Sequence, residues 1–412
     1  MAAYDSYKDS GVKWLGKVPS HWEVKKLRST FCEVKELNSN RQTSNQLQFK
    51  FGTIISKPDC SVDTDVWTTI EKYTVVKPND IIINGLNLNF DLLSMRVGQV
   101  KDLGAITSAY VCLRPKNNIF SSYFLYLLKG MDARKVFHGF GSGIRATLSF
   151  KELKNKELAI PPREEQEAIV SYLDNVTAKI DEAIEAQQKM IDALNERKQI
   201  IITRAVTRNM DKWYKIPLRF VFEMRNGYTP SKADPSFWEN GTIPWYRMED
   251  IRKSGRFLNE SIQTISPKAV KSKGTFKAGS YIMAICTASI GEHAMLIADS
   301  LANQRFMNFK VHKSLINELS PKFIFYYFYV IGKFCRDNAN STCFQYVDMA
   351  ALKRYPIPVP SIAEQQDIVT YIEQATSAID SSLSATEHRL NLLQERKQII
   401  INEVVTGKKK VI

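Results

Sequence analysis

The sequence predicts an α+β fold in which two pseudo-symmetric α/β globules alternate with two long antiparallel helices that form a coiled coil. Three observations support this fold. The chain of 412 residues repeats part of its own sequence, the repeated part has helical periodicity, and the rest has strand and turn composition. We expect four regions, which are globule one at 1–155, a helical region at 156–210, globule two at 211–355 and a second helical region at 356–412.

The repeat is clearest in the letters ERKQIII, which occupy residues 196–202 and return at 395–401. A shift of 199 positions aligns residues 161–207 with 360–406 without a gap, and 20 of the 47 aligned positions are identical. Near the start of each unit, a shift of 191 brings Trp22, Leu27, Arg28 and Phe31 onto Trp213, Leu218, Arg219 and Phe222. The chain therefore consists of two related units, each with a divergent front part and a similar rear part.

Each rear part predicts a long amphipathic helix, because apolar residues recur in steps of three and four. The first stripe is Ile169, Leu173, Val176, Ile180, Ile184, Ile191 and Leu194, and the second is Ile368, Ile372, Ala375, Ile379, Leu383, Leu390 and Leu393. Pro161 and Pro162 before the first helix, and a capping-box spacing from Ser361 to Glu364 before the second, mark the starts. Such narrow stripes need partners, so we expect the helices to pack antiparallel about a pseudo-two-fold axis; two unrelated surface helices are the alternative.

The front parts have β-branched and aromatic residues between Gly, Asn, Asp and Pro, which is typical of strands and turns. Each also contains one helix candidate in the same relative place, SSYFLYLLKG at 121–130 and SPKFIFYYFYVIGKF at 320–334. These patterns predict mixed α/β globules with loops.

The net charge of +14 is confined to the globules. Lys and Arg outnumber Asp and Glu by 22 to 14 in residues 1–155 and by 21 to 12 in residues 211–355, whereas the helical regions together hold 14 against 17. A solvated basic surface without a partner is one explanation. Basicity in both globules and not in the helices favours two nucleic-acid-binding heads on a spacer, and we call the globules head one and head two.

Motifs of other protein classes are missing from the sequence. The start carries no secretion signal and no segment is apolar enough to span a membrane, so we expect a soluble cytoplasmic protein. The cysteines at 32, 60, 112, 286, 335 and 343 form no C-x-x-C pair, and the five histidines have no metal-ligand or triad spacing. We therefore expect no metal in this chain.

Catalytic signatures are equally absent. No glycine pair has the phosphate-loop frame, and the only Pro-Pro, at 161–162, lacks the Asn or Asp and the aromatic residue of a base-modifying methyltransferase. The glycine-rich stretch GFGSGIRATL at 139–148 is interpreted as a loop with Arg145 at its tip. These observations predict a non-catalytic chain without a cofactor of its own.

Several segments of the sequence resemble sequences of one known family, the specificity subunits of type I restriction-modification systems. YKDSGVKWLGKVPSHWEVKKL at 7–27 is similar to the typical opening of that family. LAIPPREEQEAI and IPVPSIAEQQDIV are similar to its helix entries, and LNERKQIII and LQERKQIII to its helix ends. The resemblance covers the whole chain, because the order of head, helix, head and helix is also that of the family.

The resemblance implies a role and a set of partners. Each head would be a target-recognition domain that reads one half of a bipartite, asymmetric double-stranded DNA target, and the helices would fix the spacer. The partners would be two methyltransferase subunits, which bind S-adenosylmethionine and methylate adenine, and two restriction subunits, which use ATP and Mg to translocate and cleave DNA. The chain itself would have no activity.

Polar loop residues of the heads are our candidates for DNA contact, because Arg, Asn, Gln, Ser and Thr can hydrogen-bond base edges in the major groove. Each could equally be an ordinary polar loop residue. The candidates are Asn87, Asn89, Arg96, Ser142, Arg145 and Thr147 in head one, and Arg247, Thr287, Ser289, Gln304, Arg305, Thr342 and Gln345 in head two. On the polar faces of the helices, the candidates for methyltransferase contact are Glu165, Gln166, Glu364 and Gln365.

Two functions of other classes remain open on the sequence alone. A stand-alone two-headed DNA-binding regulator or scaffold would bind its site without a partner, whereas a specificity subunit needs the methyltransferase. An enzyme of unrecognised type would incorporate label from S-adenosylmethionine into DNA when it is pure.

Overall fold

Each of two units of the chain builds a head of strands and helices around its own apolar clusters. The computed structural model describes residues 3–57, 64–88, 95–141, 147–254, 256–340 and 345–411. The chain divides into unit one, which is Met1–Gln188 with His388–Ile412, and unit two, which is Lys189–Glu387. Each unit thus contains one head, the first part of one long helix and the last part of the other.

Head one is built on a four-stranded antiparallel sheet. In spatial order its strands are Phe31–Glu33, Val111–Pro115, Ile81–Ile83 and Val97–Gln99. The helix Ser121–Ala133 packs on this sheet and buries Phe124 and Leu127, so the predicted helix candidate is confirmed. Because the strands are rich in β-branched residues and the helix is aromatic, the two elements bury a continuous apolar layer.

The remaining elements of unit one are short. Antiparallel strand pairs join Tyr7–Asp9 to Lys17–Pro19, Glu23–Lys26 to Glu157–Ile160, Leu47–Lys50 to Thr53–Ser56, and Thr74–Val76 to Gly104–Ile106. Short helical segments are Leu27–Thr30, Asn38–Asn40, Thr64–Ile70, Val136–Gly139 and Phe150–Leu153.

Head two repeats the order of the head-one sheet and adds a fifth strand. Its strands are Phe222–Asn226, Phe306–Val311, Tyr281–Ala284, His293–Leu296 and, parallel to the last of these, Phe257–Leu258. The helix Pro321–Asp337, the second predicted candidate, packs here with Phe328 against Tyr281 and Phe309, at ring distances of 5.0 and 5.2 Å. The heads therefore share one framework although their sequences diverge.

Unit two has further short elements. Strand pairs join Tyr214–Pro217 to Pro356–Val359, and Ile243–Tyr246 to both Thr264–Ile265 and Leu301–Ala302. Short helical segments are Leu218–Val221, Pro235–Phe237, Met248–Ser254, Pro267–Ala269, Thr287–Ser289, Lys313–Leu315 and Met349–Arg354.

The two long helices are Arg163–Thr207, of 45 residues, and Ile362–Val405, of 44. In unit one they run antiparallel. Lys397 of the second helix forms an ion pair with Asp181 of the first, and the later residue Val405 lies near Ala159, which precedes the first helix. The Tyr123 hydroxyl links these two ends, because it donates to the backbone oxygens of Ala159, at 3.0 Å, and Val405, at 3.4 Å. In unit two the ion pair is Lys198 with Asp380. It joins the last part of the first helix to the first half of the second.

The two copies of ERKQIII occupy equivalent environments. Ile202 is buried in the unit-two core and Ile401 in the unit-one core, as expected for isoleucines that dock a helix onto a head. Ile200 and Ile399 are exposed. Within each copy, therefore, only part of the apolar run anchors the helix.

Candidate nucleic-acid interface

Four segments of head two meet where strand Tyr281–Ala284 of the five-stranded sheet and strands Ile243–Tyr246 and Leu301–Ala302 of a separate sheet finish. The Asn303 amide donates to the Tyr246 oxygen at 3.1 Å, and the Ile285 amide donates to the Arg305 oxygen at 3.0 Å. A fourth segment joins them, because the Thr287 amide donates to the Gln345 oxygen at 2.8 Å. The structure thus brings together residues that are up to about 100 positions apart.

These segments enclose an open cavity of about 200 Å³. Four of the seven predicted head-two residues line it, namely Arg247, Thr287, Ser289 and Arg305. Gln304 lies exposed beside Arg305, and its Oε1 accepts a hydrogen bond from the Thr229 hydroxyl at 2.6 Å. Gln345 is exposed and joins through its backbone, while Thr342 lies outside the described residues. The cavity is therefore the candidate reading site of head two.

Thr287 is held in a strained backbone conformation at this cavity. Its φ is 64°, in the left-handed region that a β-branched residue rarely adopts. The strain is maintained by the hydrogen bond of its amide to Gln345 and by the turn that follows, in which the Ile290 amide donates to the Thr287 oxygen at 3.1 Å. Strain of this kind persists where surrounding structure enforces it, and it concentrates at functional sites.

The two arginines of the cavity differ in whether a described acidic side chain already pairs with them. The Arg247 Nη2 lies 2.8 Å from Glu249 Oε2, and its buried Nε has no partner among the described residues. Arg305 is exposed, and no described acid pairs with it. Arg305 can thus meet a phosphate or a base directly, whereas Arg247 would first have to exchange its Glu249 partner for a ligand.

Head one has the corresponding junction. The Leu148 amide donates to the Gly85 oxygen at 2.9 Å, as the Val347 amide donates to the Ile285 oxygen at 3.0 Å in head two. A Cβ on Gly85 would lie 2.2 Å from the Leu148 oxygen, so only glycine allows this approach. The junction places the exposed residues Asn87 and Thr147 on neighbouring segments.

Asn87 and Thr287 occupy equivalent positions in the two junctions. Each lies two residues beyond the paired residue, Gly85 or Ile285, and each has a positive φ, 53° for Asn87 and 64° for Thr287. Of the other predicted head-one residues, Asn89, Ser142 and Arg145 lie outside the described residues.

Arg96 requires a correction, because the structure buries it and leaves only 1% of it exposed. Its Nη1 donates to the backbone oxygens of Asn84, at 3.0 Å, and Leu86, at 2.8 Å, and its amide donates to Asp132 at 2.6 Å. The guanidinium therefore satisfies the carbonyls that lead into Asn87 and positions that loop. It is not placed to read a base.

The predicted methyltransferase contacts also require correction, since three of the four are buried. Glu165 accepts hydrogen bonds from the Tyr4 hydroxyl and, at 3.1 Å, from Trp22 Nε1, and His21 Nε2 lies 2.9 Å from it. Gln166 donates to the Pro161 oxygen at 2.9 Å. These bonds fasten the first turn of the first long helix to head one, so neither residue lies on a free polar face.

The second long helix is fastened in a related way. Gln365 is fully buried; its Nε2 donates to the oxygens of Glu318 at 2.7 Å and Pro360 at 2.9 Å, and its Oε1 accepts from the Ser320 amide at 2.7 Å. Glu364 remains partly exposed and forms the predicted capping box with Ser361. Side-chain hydrogen bonds from Ser361, and more weakly from Trp213, help to lower the pKa of the Glu364 carboxyl.

A cavity lies at the junction of head and helices in each unit. In unit one it has a volume of about 360 Å³ and is lined by Lys129 and the Asp181–Lys397 ion pair. Burial, together with the nearby Lys397, lowers the pKa of the Lys129 amine. In unit two the volume is about 300 Å³, and the lining includes Arg256 and the Lys198–Asp380 pair. The same helix residues thus line equivalent cavities.

Comparison with known proteins assigns the chain to a family. The family described as type I restriction modification DNA specificity domain matches residues 19–191 and again residues 210–390. The chain belongs to this family. Each match includes a head and the first part of a long helix, so the internal repeat is a repeat of the family's domain.

Two relatives illustrate the range of similarity. The type I restriction enzyme EcoprrI specificity subunit of Escherichia coli is 42% identical over 166 residues, which are 39% of this chain and 41% of that protein. The putative type I restriction enzyme MjaX specificity subunit of Methanocaldococcus jannaschii is 21% identical over 98% of both chains. The first match thus spans about two fifths of its relative, and the second spans nearly all of it.

A solved structure shares the fold. A chain from the structural study of complex assembly and conformational transition of the type I R-M system matches 94% of this chain and 98% of its own length. The TM-score is 0.56 at 13% identity, which shows a common architecture of two heads and long helices. The predicted fold class is therefore confirmed.

As a type I DNA specificity chain, the protein is non-catalytic. Within the described ranges, His, Cys, Asp and Glu form no cluster able to hold a metal ion. Burial raises the pKa of the Cys286 thiol in the head-two cavity, so this cysteine is not an activated nucleophile. In the same ranges, no helix is long and apolar enough to cross a membrane.

Proposed function

We propose that each head reads one half of a bipartite, asymmetric DNA target and that the long helices fix the spacer between the halves. The observation that carries this proposal is the repeated junction in the heads. Both use the same backbone bond and the same left-handed position, but that position is Asn87 in head one and Thr287 in head two. One framework with different residues at the reading loops suits a protein whose two half-sites differ.

Charge supports the same function. Head one has an excess of 22 − 14 = 8 positive charges and head two an excess of 21 − 12 = 9. Phosphate attraction of this kind supplies sequence-independent affinity and orients a protein on the duplex, after which loop residues select bases. We assign Arg305 and Arg247 to base or phosphate contact in head two, and Asn87 and Thr147 to base contact in head one.

The partners follow from the family as part of this proposal. The chain would assemble with two methyltransferase subunits, which carry S-adenosylmethionine, and with two restriction subunits, which carry ATP and Mg. With three of the predicted helix residues buried, the methyltransferase would contact other exposed positions of the long helices. Native mass spectrometry of the purified complex measures this stoichiometry, and a complex without two methyltransferase subunits would contradict it.

The central experiment is methylation sequencing of cells that express the chain with its methyltransferase. We expect a modified motif with two defined halves. Arg247→Ala should weaken or relax only one half, by about tenfold, since one good bidentate contact contributes about 1–3 kcal/mol of discrimination. Lys333→Ala, on an exposed face of the same head, is the matched control and should leave the motif unchanged.

Other outcomes would favour the alternatives. Tight, sequence-selective binding by the pure chain would indicate a stand-alone regulator. Incorporation of label from S-adenosylmethionine into DNA by the pure chain would indicate an enzyme.

A further inference from the structure

A β-hairpin of head one presents an aromatic side chain to solvent. Its strands are Leu47–Lys50 and Thr53–Ser56, and its tip is Phe51 with Gly52. The Phe51 side chain is 74% exposed, and no large apolar side chain in the described part of the chain is more exposed. The Phe51 ring belongs to none of the apolar cores, although Phe49 of the preceding strand does pack on one.

The backbone at Phe51 is also unfavourable for phenylalanine. Its φ is 46° and that of Gly52 is 75°, so the two-residue turn has the left-handed geometry for which Asn-Gly is the usual sequence. Among the described non-glycine residues with positive φ, Phe51 is the only aromatic one. Folding alone would favour Asn at this position, because Asn adopts left-handed backbone angles more readily than Phe and its polar side chain is better suited to exposure to water. Exposure and strain therefore coincide at a residue that the fold does not need.

The hairpin is held firmly, so the exposure of its tip is not a consequence of loose packing. A Cβ on Gly52 would lie 2.9 Å from Met95 Cβ, and one on Gly98 would lie 3.1 Å from the Gly52 oxygen, which shows how closely the tip packs on the sheet. At its base, the Lys57 amide donates to the Gln46 oxygen at 2.8 Å. A rigid projection loses little conformational entropy when it binds.

The charge of the hairpin and its position in head one indicate DNA as the partner of Phe51. From Leu47 to Lys57 the hairpin has two lysines and no acid. Both Lys50 and Lys57 are exposed, and the described residues offer neither of them an ion-pair partner. The tip contacts Met95, itself 47% exposed, next to Arg96, which positions the loop of Asn87. The hairpin therefore lies beside the proposed reading loop of head one.

We propose that Phe51 is an aromatic wedge that stacks into a base step of duplex DNA next to the half-site read by head one, while Lys50 and Lys57 contact the flanking phosphates. Apolar wedges of this kind unstack a base step and kink the duplex. The inference rests on the proposed function of head one.

The test uses the full chain assembled with its methyltransferase and a duplex that carries the motif found by methylation sequencing. Phe51→Asn removes the ring and gives the turn its preferred residue. We expect its melting temperature to equal or exceed that of the wild type, while DNA affinity falls about tenfold, as expected for loss of one base-aromatic stack. Phe51→Trp should bind within about twofold of the wild type, since tryptophan also stacks.

A fluorescent base analogue locates the wedge. With 2-aminopurine at successive positions beside the head-one half-site, we expect a fluorescence rise at one step with the wild type and none with Phe51→Asn. Tyr214→Ala, which removes an equally exposed aromatic from head two, is the control and should leave that signal unchanged. Lys50→Ala should reduce the salt dependence of binding by about one counterion, whereas Phe51→Asn should not.

The failures are distinguishable. If the wild-type complex binds no duplex selectively, the proposed function is wrong. If the wild type binds and Phe51→Asn binds equally well, the wedge is wrong. If Phe51→Asn weakens assembly with the methyltransferase, while the variant complex that does assemble binds DNA as the wild type does, the hairpin is a protein contact and the wedge is again wrong.

Discussion

Gln365 and Gln166 occupy equivalent positions in the two long helices, but they make different numbers of hydrogen bonds. Gln365 has three bonds to the backbone, with Glu318, Ser320 and Pro360, whereas Gln166 makes one to Pro161, and its buried Oε1 has no partner among the described residues. A buried hydrogen bond contributes about 0.5–1.5 kcal/mol net. Replacement by leucine should therefore cost about 3 kcal/mol at Gln365 and about 1 kcal/mol at Gln166.

Hydrogen exchange resolved by mass spectrometry measures each cost separately, because peptides from unit one and unit two report their own opening free energies. Gln365→Leu should accelerate exchange of the slowest unit-two amides about 100-fold and leave unit one unchanged. Gln366→Leu, at the exposed neighbouring position, is the control. Equal effects at Gln365 and Gln166, or an effect at Gln366 as large as that at Gln365, would refute the hydrogen-bond reasoning.

Three further predictions follow from buried or strained groups. Arg96→Met should destabilise unit one by about 3 kcal/mol, because the carbonyls of Asn84 and Leu86 lose their donor, and methylation sequencing should show an unchanged motif. Thr287→Asn should raise the stability of unit two by about 1 kcal/mol and alter one half of the motif only; an unchanged motif would remove Thr287 from the reading site. Burial, with Arg256 nearby, lowers the pKa of His293 well below 6.5, so at acid pH the unfolded chain binds a proton that the folded chain does not. Unit two should therefore lose stability as the pH falls below about 6.5, by up to about 1.4 kcal/mol per pH unit. Denaturation at several pH values should show a weaker loss for His293→Gln than for the wild type.

The long helices were predictable from sequence because their information is local. Apolar residues in steps of three and four predict both helices. The entry marked by Pro161 and Pro162 and the capping box from Ser361 to Glu364 lie next to the observed first residues, Arg163 and Ile362. The aromatic helix candidates of the heads were predictable for the same reason.

The roles of Arg96 and Gln365 were not predictable, because their partners are distant in sequence. Gln365 bonds residues 45 and 47 positions away, and Arg96 bonds Asp132, 36 positions away. A polar residue at a predicted loop or helix start is exposed by default, and only the folded head reveals that backbone groups need it. The left-handed conformation of Thr287 was equally hidden, since propensity favours Gly or Asn there.

The doubled ERKQIII has a physical explanation in the way each unit is assembled. A unit combines the start of one long helix with the end of the other, so both units need the same helix end. In unit two, Lys198 pairs with Asp380 and Ile202 enters the core; in unit one, Lys397 and Ile401 do the same with Asp181 and the head-one core. The two helix ends thus have identical residues where they make equivalent contacts. The two units differ at the equivalent positions Asn87 and Thr287, where the same backbone junction presents different side chains. If the heads read DNA as proposed, the bases that contact these two residues should differ between the half-sites.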